Sequence, residues 1–225
     1  MVSIIIPTLN EEAVISKTLS HVMGQEGSWE IIVSDGGSTD RTTEIIQKFP
    51  NIRLVKSSKG RALQMNDGAR FARGEILLFL HADTFLMPSA ILKVENAMKN
   101  SSIVGGSFFL KFDVESPTFK IYSFLSKINH LLFTYGDQAI FVKKEIFKAL
   151  KGYKNIALME DVELQQRIRK RGKFVKLHQP VITSSRRFIR RGVIIQQVQN
   201  FVLVTLYLFG ISPTILKKYY LNEGE

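Results

Sequence analysis

Up to about Ala149, the chain alternates between short β-rich runs and longer amphipathic stretches. The β-rich runs are Val2–Ile6, Glu30–Ser34, Ile52–Lys56 and Ile76–Leu80. The amphipathic stretches between them lie near Glu11–Met23, Asp40–Phe49 and Gly60–Ala72. Strands that alternate with helices are typical of βαβ units, in which parallel strands form a sheet and helices cover its faces. The sequence therefore predicts an α/β fold with a single Rossmann-like, mostly parallel sheet.

The fourth β-rich run ends directly in His81-Ala82-Asp83. The carboxyl ends of parallel strands lie at the sheet edge where open α/β folds bind ligands. A carboxylate buried at that edge is costly unless it has a partner, and a divalent cation that carries phosphate would supply one. A simpler interpretation is that Asp83 caps the helix that follows.

The composition limits the chemistry that the chain can perform. A chain of 225 residues, 45% of them hydrophobic, can bury one full core, so we expect one domain with an appendage. The absence of cysteine excludes disulfides, thiolate nucleophiles and cysteine-ligated zinc. The first residues lead straight into a β-rich run without the pattern of a secretory signal, so we expect a cytoplasmic protein.

The net charge of +11 is unevenly distributed along the chain. From Leu164 to Asn222 there is no acidic residue, but there are twelve lysines and arginines. Such a basic segment suits phosphates, whether they belong to nucleotides, nucleic acids or anionic lipids.

An uncharged segment, Val193–Phe209, follows four arginines at positions 186, 187, 190 and 191. Its continuous apolar length is shorter than the ~20 residues that span a bilayer, because glutamines and an asparagine interrupt it. One interpretation is peripheral contact with an anionic membrane surface, on the inner face of the membrane. Packing on the domain, or a homodimer through the C-terminal helices, fits the same residues. We expect amphipathic or apolar helices over residues 192–225.

Polar loops follow the first two β-rich runs. The first segment reads SIIIPTLNE from Ser3 to Glu11, and the second loop reads DGGSTDRT from Asp35 to Thr42. Neither is a G-x-G-x-x-G fingerprint or a Walker loop, which argues against dinucleotide-binding and nucleotide-hydrolysing proteins of those types. Farther along, Glu160-Asp161 places two adjacent acids at the start of a predicted helix.

In these segments, and in their order, the chain resembles glycosyltransferase family 2, the inverting enzymes of GT-A type. The resemblance also rests on the G-x-x-x-x-x-N-x-G region from Gly60 to Gly68 and on the GEILLFL run that precedes Asp83, and it covers roughly residues 2–185. Within the family, the chain is most similar to the arsenosugar-biosynthesis-type subgroup, through the segments Gly60–Asn66, His81–Thr84, Tyr135–Gln138 and Thr183–Phe188.

The resemblance implies a GT-A domain over residues 1–191, with a nucleotide-binding half over about 1–100 and an acceptor half over about 101–191. The implied donor is a nucleoside-diphosphate sugar, with a uridine diphosphate sugar as the first candidate. A lipid-linked acceptor would explain the basic and then apolar C-terminus, but a soluble acceptor fits the same residues. The donor would contact Pro7, Thr8, Asn10, Glu11, Asp35, Gly36, Arg61, Asn66, Ala82, Asp83, Arg186 and Arg187, with Asp35 facing the base.

The resemblance also implies a metal site. Asp83 takes the place of the family's metal ligand, where Mg²⁺ or Mn²⁺ would neutralise the pyrophosphate as its bond to the sugar breaks. His81 stands where the family usually has an aspartate, so it is a candidate metal ligand, donor contact or structural residue. An imidazole ligand would favour Mn²⁺ over Mg²⁺.

By the same resemblance, Asp161 is the candidate general base, with Glu160 beside it. An inverting transfer needs one carboxylate that takes the proton of the acceptor hydroxyl as its oxygen attacks. Two acids in the first turn also complement the helix dipole, which is a purely structural explanation. We expect the acceptor side to include Tyr135, Gly136, Asp137 and Gln138.

Two other functions are alternatives to sugar transfer, and the first is that of a nucleotidyltransferase, which can share this kind of fold. A nucleotidyltransferase would need a glycine-rich loop with Arg and Lys after the first strand, and Pro7–Glu12 contains neither glycine nor lysine. A binding protein with a degenerate site would use the basic segment on an anionic membrane or a nucleic acid. Because the segment lacks the regularly spaced aromatic residues of single-strand platforms, we do not expect nucleic acid as a partner.

Overall fold

An eight-stranded sheet forms the centre of the computed structural model, which describes residues 1–185 and 192–220. Its strands lie in the order β3-β2-β1-β4-β7-β6-β8-β5. They are β1 (Val2–Thr8), β2 (Trp29–Asp35), β3 (Ile52–Lys56), β4 (Ile76–Phe79), β5 (Thr84–Leu86), β6 (Ile103–Phe112), β7 (Ile140–Lys143) and β8 (Lys173–Thr183).

The first four strands form the parallel half of this sheet. β1 lies between β2 and β4, so the carboxyl ends of these three strands meet at one edge, where Thr8 pairs with Asp35. β7 runs antiparallel to β4 and β6, β8 runs parallel to β6, and β5 closes the far edge antiparallel to β8. The predicted α/β fold with a mostly parallel sheet is confirmed. Strand-like patterns in the sequence at Ile103–Phe112 and Ala139–Val142 also correspond to β6 and β7, whereas β5 and β8 were not predicted.

Helices cover both faces of the sheet. In the described residues they are α1 (Ile15–Met23), α2 (Thr42–Gln47), α3 (Arg61–Arg70), α4 (Ala90–Met98), α5 (Pro117–Leu125), α6 (Lys144–Ala149), α7 (Glu160–Arg169), α8 (Val193–Leu208) and α9 (Pro213–Tyr219). Successive side chains of β1 point to opposite faces, so Ile4 and Ile6 join the hydrophobic layer of α1 and α4, while Ile5 joins that of α3 and α7. Both layers are needed because β1 is buried on both faces.

The close approach of α7 to the sheet depends on Gly105 in β6. A Cβ atom at Gly105 would lie 2.7 Å from the carbonyl oxygen of Phe141 and 3.2 Å from Cγ2 of Ile168 in α7. Ile168 is fully buried. A larger residue at position 105 would push α7 outward, and with it the two acids in the first turn of that helix.

The C-terminal helices α8 and α9 pack on the domain. Leu203, Val204 and Leu216 form a hydrophobic cluster with Met159 and Val162 at the start of α7. Of the sequence interpretations of this segment, packing on the domain therefore holds for one side of α8. Among the residues that the structure describes, no helix has the length and apolar character needed to cross a bilayer.

Candidate active site

The carboxyl end of β4 and the start of α7 enclose a cleft. The turn after β4 contributes His81 and Asp83, and the segment before β7 contributes Tyr135 to Asp137. The described residues that line the cleft are Arg61, His81, Asp83, Tyr135, Gly136, Asp137, Leu158, Met159, Glu160, Asp161, Thr183, Ser184, Asn200, Val204 and Tyr220. Residues that sequence analysis assigned separately to the donor, the metal, the base and the acceptor thus lie around one space.

Asp161 is oriented by two backbone N–H groups. The N–H of Gly136 donates to Oδ2 at 2.6 Å, and the N–H of Val162 donates to Oδ1 at 2.8 Å. Each carboxylate oxygen has about two acceptor positions, so a hydroxyl in the cleft can still donate to this group. The geometry is that of a fixed carboxylate that faces the cleft.

The backbone just before Asp161 is strained. Met159, which precedes α7, adopts the left-handed conformation, with φ of 68° and ψ of 23°. For a residue other than glycine this conformation costs on the order of 1 kcal/mol, and residues of this kind occur often at functional sites. Packing of the buried Met159 side chain with Val162 and Leu203 offsets that cost.

Glu160 and Arg61 form an ion pair beside the base, with 3.5 Å between Oε1 and Nη1. Burial raises the pKa of Glu160, and the nearby guanidinium of Arg61 opposes that rise. Desolvation lowers the pKa of Arg61, but Glu160 and Asp161 outweigh it, so the pKa of Arg61 lies above its usual value. The Arg61 side chain is 46% exposed, so its charge can reach a ligand in the cleft.

His81 and Asp83 lie in a turn between β4 and β5. The N–H of Thr84 donates to the carbonyl of His81 at 3.1 Å, and the carbonyl of buried Ala82 accepts from the hydroxyl of Thr18. A Cβ atom on Gly136 would lie 3.2 Å from Nε2 of His81 and equally far from Oδ2 of Asp161. The imidazole and the carboxylate of Asp161 therefore flank the same glycine.

The candidate metal ligands in the cleft are the carboxylate oxygens of Asp83 and the ring nitrogens of His81. Within 1–185 and 192–220, no three Asp, Glu, His or Cys side chains are grouped so that they could hold a metal ion by themselves. Mg²⁺ is often held by one or two protein ligands together with waters and substrate phosphates. The donor set therefore fits an ion that binds together with a pyrophosphate.

The loops after β1 and β2 bind each other at the same edge of the sheet. Buried Asp35 accepts from the N–H groups of Gly37 and Ser38 at 3.0 and 2.9 Å, and from Oγ of Ser38 at 2.5 Å. Oδ1 of Asn10 accepts from the N–H of Thr39 at 2.8 Å. These bonds order the edge, but they also engage the Asp35 carboxylate with its own loop, so contact with a nucleobase stays a prediction.

Pro7, Thr8 and Glu11 belong to the first of these loops and to the strand end before it. Pro7 and Thr8 are the last residues of β1. The N–H of Glu11 donates to Oγ1 of Thr42 at 2.7 Å, which fixes the turn that leads to α1. These residues lie at the carboxyl edge of the sheet and outside the lining of the cleft, so their contact with the donor stays a prediction.

Helix α3 connects the loop edge with the cleft. Nε2 of Gln64 donates to the carbonyls of Thr8 and Ser34 at 2.6 and 3.0 Å. A Cβ atom at Gly36 would meet the Gln64 amide at 2.9 Å, so glycine permits this contact. One turn earlier, Arg61 lines the cleft. No sequence motif points to this role of Gln64, because nothing in a helical pattern identifies which amide will bind the strand ends.

Asn66 lies on α3 but does not line the cleft. Its Nδ2 donates to the carbonyl of Tyr153 at 2.8 Å, and its Oδ1 accepts from the N–H of Tyr153 at 2.9 Å. The side chain therefore holds the segment between α6 and α7, and donor binding by Asn66 stays a prediction.

The predicted acceptor residues divide into two groups. Tyr135, Gly136 and Asp137 line the cleft, whereas Gln138 is fully buried behind them. Burial raises the pKa of Tyr135, and Asp137 adds to that rise. Nε2 of Gln138 donates to the carbonyl of Phe133 at 2.8 Å, so Gln138 supports the turn from behind.

A partly buried lysine, Lys176 of β8, also supports this turn. Its Nζ donates to Oγ1 of Thr134 at 2.8 Å and to Oε1 of Gln138 at 2.5 Å. Burial lowers the pKa of Lys176 to about 7, and Asp137 opposes that shift. In the sequence, Lys176 is distinguished only as one member of the basic segment.

The C-terminal helices contribute lining residues that sequence analysis did not identify. Asn200 and Val204 of α8, and Tyr220 after α9, close the side of the cleft beside Glu160. Only the packing of α8 on α7 brings them there, so no local motif could have identified them. The predicted donor residues Arg186 and Arg187 lie outside the described residues.

The family is decided by a match along most of the sequence. The sequence model of the family described as Glycosyl transferase family 2 matches residues 3–195. The chain belongs to this family. It is 28% identical over 163 residues to an uncharacterized glycosyltransferase of Haemophilus influenzae, a region that covers 67% of this chain and 65% of that protein.

A second relative comes from a mycobacterium. The chain is 34% identical over 166 residues to a PGL/p-HBAD biosynthesis glycosyltransferase of Mycobacterium tuberculosis, which covers 68% of this chain and 63% of that protein. The match with these curated relatives therefore spans less than two thirds of their length.

Solved structures confirm the GT-A fold of the family 2 chain. The mannosyltransferase PcManGT from Pyrobaculum calidifontis, solved with GDP-Man and Mn²⁺, aligns with a TM-score of 0.70 at 20% identity, over 96% of this chain and 67% of that one. S. aureus TarS 1–349, solved with UDP-GlcNAc, aligns with a TM-score of 0.67 at 18% identity, over 81% of this chain and 58% of that one. At these identities the likeness shows the fold.

Proposed function

We propose that this family 2 chain transfers a sugar from a nucleoside-diphosphate sugar to an acceptor hydroxyl, with inversion at the anomeric carbon. The observation that carries the proposal is the oriented carboxylate of Asp161, which faces the same cleft as Asp83, His81 and Arg61. Relatives named as glycosyltransferases, and neighbours solved with UDP-GlcNAc and GDP-Man, support a nucleotide-sugar donor. A uridine diphosphate sugar is the first candidate.

In the proposed reaction Asp161 is the general base. The proton of the acceptor hydroxyl moves to the Asp161 carboxylate as the acceptor oxygen forms a bond to the anomeric carbon. The bond between that carbon and the phosphate oxygen breaks, and its electron pair leaves with the nucleoside diphosphate. The N–H groups of Gly136 and Val162 hold the carboxylate in place, which lowers the entropic cost of the transfer.

The charge of the leaving group requires positive partners in the cleft. Arg61 stays protonated beside Glu160 and offers a guanidinium fork that matches phosphate oxygens. Glu160 is a positioning residue in this scheme, because it holds Arg61. From the sequence alone, Arg186 and Arg187 are further candidates for contact with the pyrophosphate.

Asp83, with His81 as a second metal ligand, would hold Mg²⁺ or Mn²⁺ against the pyrophosphate. When bound, the ion would neutralise charge on the leaving nucleoside diphosphate. The neighbour that was solved with GDP-Man and Mn²⁺ supports this assignment.

The rest of the donor would extend from the cleft toward the β1–β2 edge. Helix α3 reaches both places, with Arg61 in the cleft and Gln64 on the strand ends. The nucleobase would lie against Asp35 and Gly36, and the acceptor would enter beside Tyr135 and Asp137.

A donor-hydrolysis screen tests the proposal. The full chain is incubated with UDP-, GDP- and other nucleotide sugars, with Mg²⁺ or Mn²⁺, and the released nucleoside diphosphate is measured. We expect one donor class to be hydrolysed, and Asp83→Ala to lower both hydrolysis and metal-dependent donor binding by at least about tenfold. Glu44→Ala, which removes an exposed acid of α2, serves as the control and should change neither quantity.

Two outcomes would contradict the proposal. If no nucleotide sugar binds or is hydrolysed, while the chain binds RNA or anionic vesicles in a salt-dependent manner, the degenerate-site alternative is favoured. If Asp83→Ala behaves as Glu44→Ala does in a Mn²⁺ titration, the metal assignment is wrong.

A further inference from the structure

The outward side of α8 is apolar. Ile194, Ile195 and Val198 are 66%, 64% and 57% exposed, and Phe209 just after the helix is 84% exposed. At 3.6 residues per turn, these positions fall within about 140° of the helix circumference, together with the exposed Phe201, Val202 and Leu206. A helix on the surface of a water-surrounded domain normally turns its polar side outward.

The inward side of α8 carries the amides instead. Gln196 is 1% exposed, and its Nε2 donates to Oδ1 of Asn200 at 2.9 Å. Asn200 lines the cleft, next to the buried Val204. The inward side of the helix is therefore mixed, with amides beside the buried Leu203 and Val204, and packing on the domain does not account for the apolar outward side.

Two neighbouring helices add to this apolar surface. Helix α5 contacts α8 and exposes Ile121 and Phe124, at 62% and 67%. Helix α9 exposes Ile215 and Tyr219. Two exposed lysines, Lys217 and Lys218, lie in the last turn of α9. We define these exposed residues of α5, α8 and α9 together, with Phe209, as the outer surface.

We propose that the outer surface lies on an anionic lipid bilayer. The exposed hydrocarbon would be buried at the boundary of headgroups and acyl chains, and the basic residues would be attracted to anionic headgroups. The described basic residues beside this apolar surface are Lys217 and Lys218 of α9, and the sequence places four more arginines, at 186, 187, 190 and 191, directly before α8. In a symmetric contact between two copies, these like charges would face each other, whereas anionic lipid complements them.

The bilayer would lie on the opposite side of α8 from the cleft. An α-helix with its side chains is about 10 Å in diameter, so the cleft and the bilayer would be separated by roughly that distance. An acceptor anchored in the bilayer would then reach the cleft around this helix, an extension that rests on the proposed function. Docking itself requires neither sugar transfer nor donor binding.

Vesicle flotation with the full chain tests the docking. We expect binding to vesicles of phosphatidylcholine mixed with phosphatidylglycerol, and at least about tenfold weaker binding to phosphatidylcholine alone. Added salt should weaken the binding to the anionic vesicles. The double variant Ile195→Ser/Phe209→Ser should lower that binding by about tenfold or more, since two exposed apolar side chains are lost.

A matched control uses an exposed apolar residue elsewhere on the domain. Phe71 follows α3 and is 46% exposed, so Phe71→Ser should leave vesicle binding within about twofold of wild type. Urea unfolding of both variants checks that each still folds. Absence of binding to anionic vesicles, or equal losses in both variants, would overturn the proposal. The proposal would also be overturned if wild type does not bind vesicles but forms a concentration-dependent dimer that Ile195→Ser/Phe209→Ser abolishes. The outer surface would then bind a second copy of the chain.

Discussion

Gly136→Ala perturbs the proposed base without altering any charge. The N–H of Gly136 binds Oδ2 of Asp161 at 2.6 Å, and an added Cβ would lie 3.2 Å from that oxygen and from Nε2 of His81. These contacts are tighter than most real Cβ contacts, so both side chains must move by a few tenths of an ångström. Gly136 does not have a positive φ, so alanine introduces no backbone strain.

The expected size of the effect follows from this displacement. A misplacement of about 1 Å can lower an enzymatic rate by about 10²-fold. A shift of a few tenths of an ångström should therefore lower kcat by about tenfold, which corresponds to about 1.4 kcal/mol in the activation barrier. The free energy of unfolding should fall by no more than about 1 kcal/mol, because the neighbouring side chains have cleft space into which they can move.

The assay measures nucleoside diphosphate release at saturating donor, together with donor affinity and urea unfolding. Gly24→Ala is the matched control, since its Cβ would meet the nearest atom, the carbonyl oxygen of Ser20, at an ordinary 3.6 Å. We expect kcat to fall in Gly136→Ala alone, with donor affinity within about threefold of wild type. A kcat within twofold of wild type, in a folded variant, would refute the role given to the Gly136–Asp161 contact.

Two further predictions concern buried charges. Arg61→Met leaves Glu160 buried without its cation, so the pKa of Glu160 should rise further. The rate of nucleoside diphosphate release, measured as a function of pH, should fall by about tenfold. An unchanged pH profile would contradict the pairing of Arg61 with Glu160. Burial lowers the pKa of Lys176 to about 7, so the unfolded chain holds this proton up to pH ~10 while the folded chain releases it near pH 7. Stability should therefore rise with pH between 7 and 10, by up to about 1.4 kcal/mol per pH unit, and Lys176→Met should flatten this dependence in urea unfolding. If the unfolding free energies of wild type and Lys176→Met depend equally on pH, Lys176 does not have a lowered pKa in the folded chain.

The sequence predicted the parallel half of the fold well, because β1, β2 and β4 are apolar runs that end in polar loops. It missed β8, since Lys173, Lys176 and Gln179 interrupt any alternation, and it missed β5, which has only three residues. These two strands are specified by pairing with each other and with β6 rather than by a local pattern.

In the candidate site, too, some residues follow from local sequence patterns and others depend on how distant elements pack. His81, Asp83 and Asp161 lie near a strand end or a helix start, where sequence motifs can predict them, and the structure places all three around one cleft. The positions of Asn200 and Tyr220 depend on how α8 and α9 pack, and because both sides of α8 carry apolar residues, its sequence does not show which side faces the domain. The amides of Gln138 and Asn66 are bonded to the backbone of nearby segments, which no sequence motif reveals, and their contact with a ligand stays a prediction.

The central claim is that Asp161 takes the acceptor proton and is more than a helix-dipole acid. Asp161→Asn keeps the size of the side chain and removes its basicity, so turnover should fall by about 10²- to 10⁴-fold. Glu145→Gln, which changes a first-turn acid of α6, tests the dipole explanation separately.

The decisive measurement compares turnover and donor affinity in wild type, Asp161→Asn and Glu145→Gln. We predict that Asp161→Asn alone loses turnover, while its donor affinity stays within about threefold of wild type. Near-normal turnover in a folded Asp161→Asn protein would show that Asp161 is not the general base.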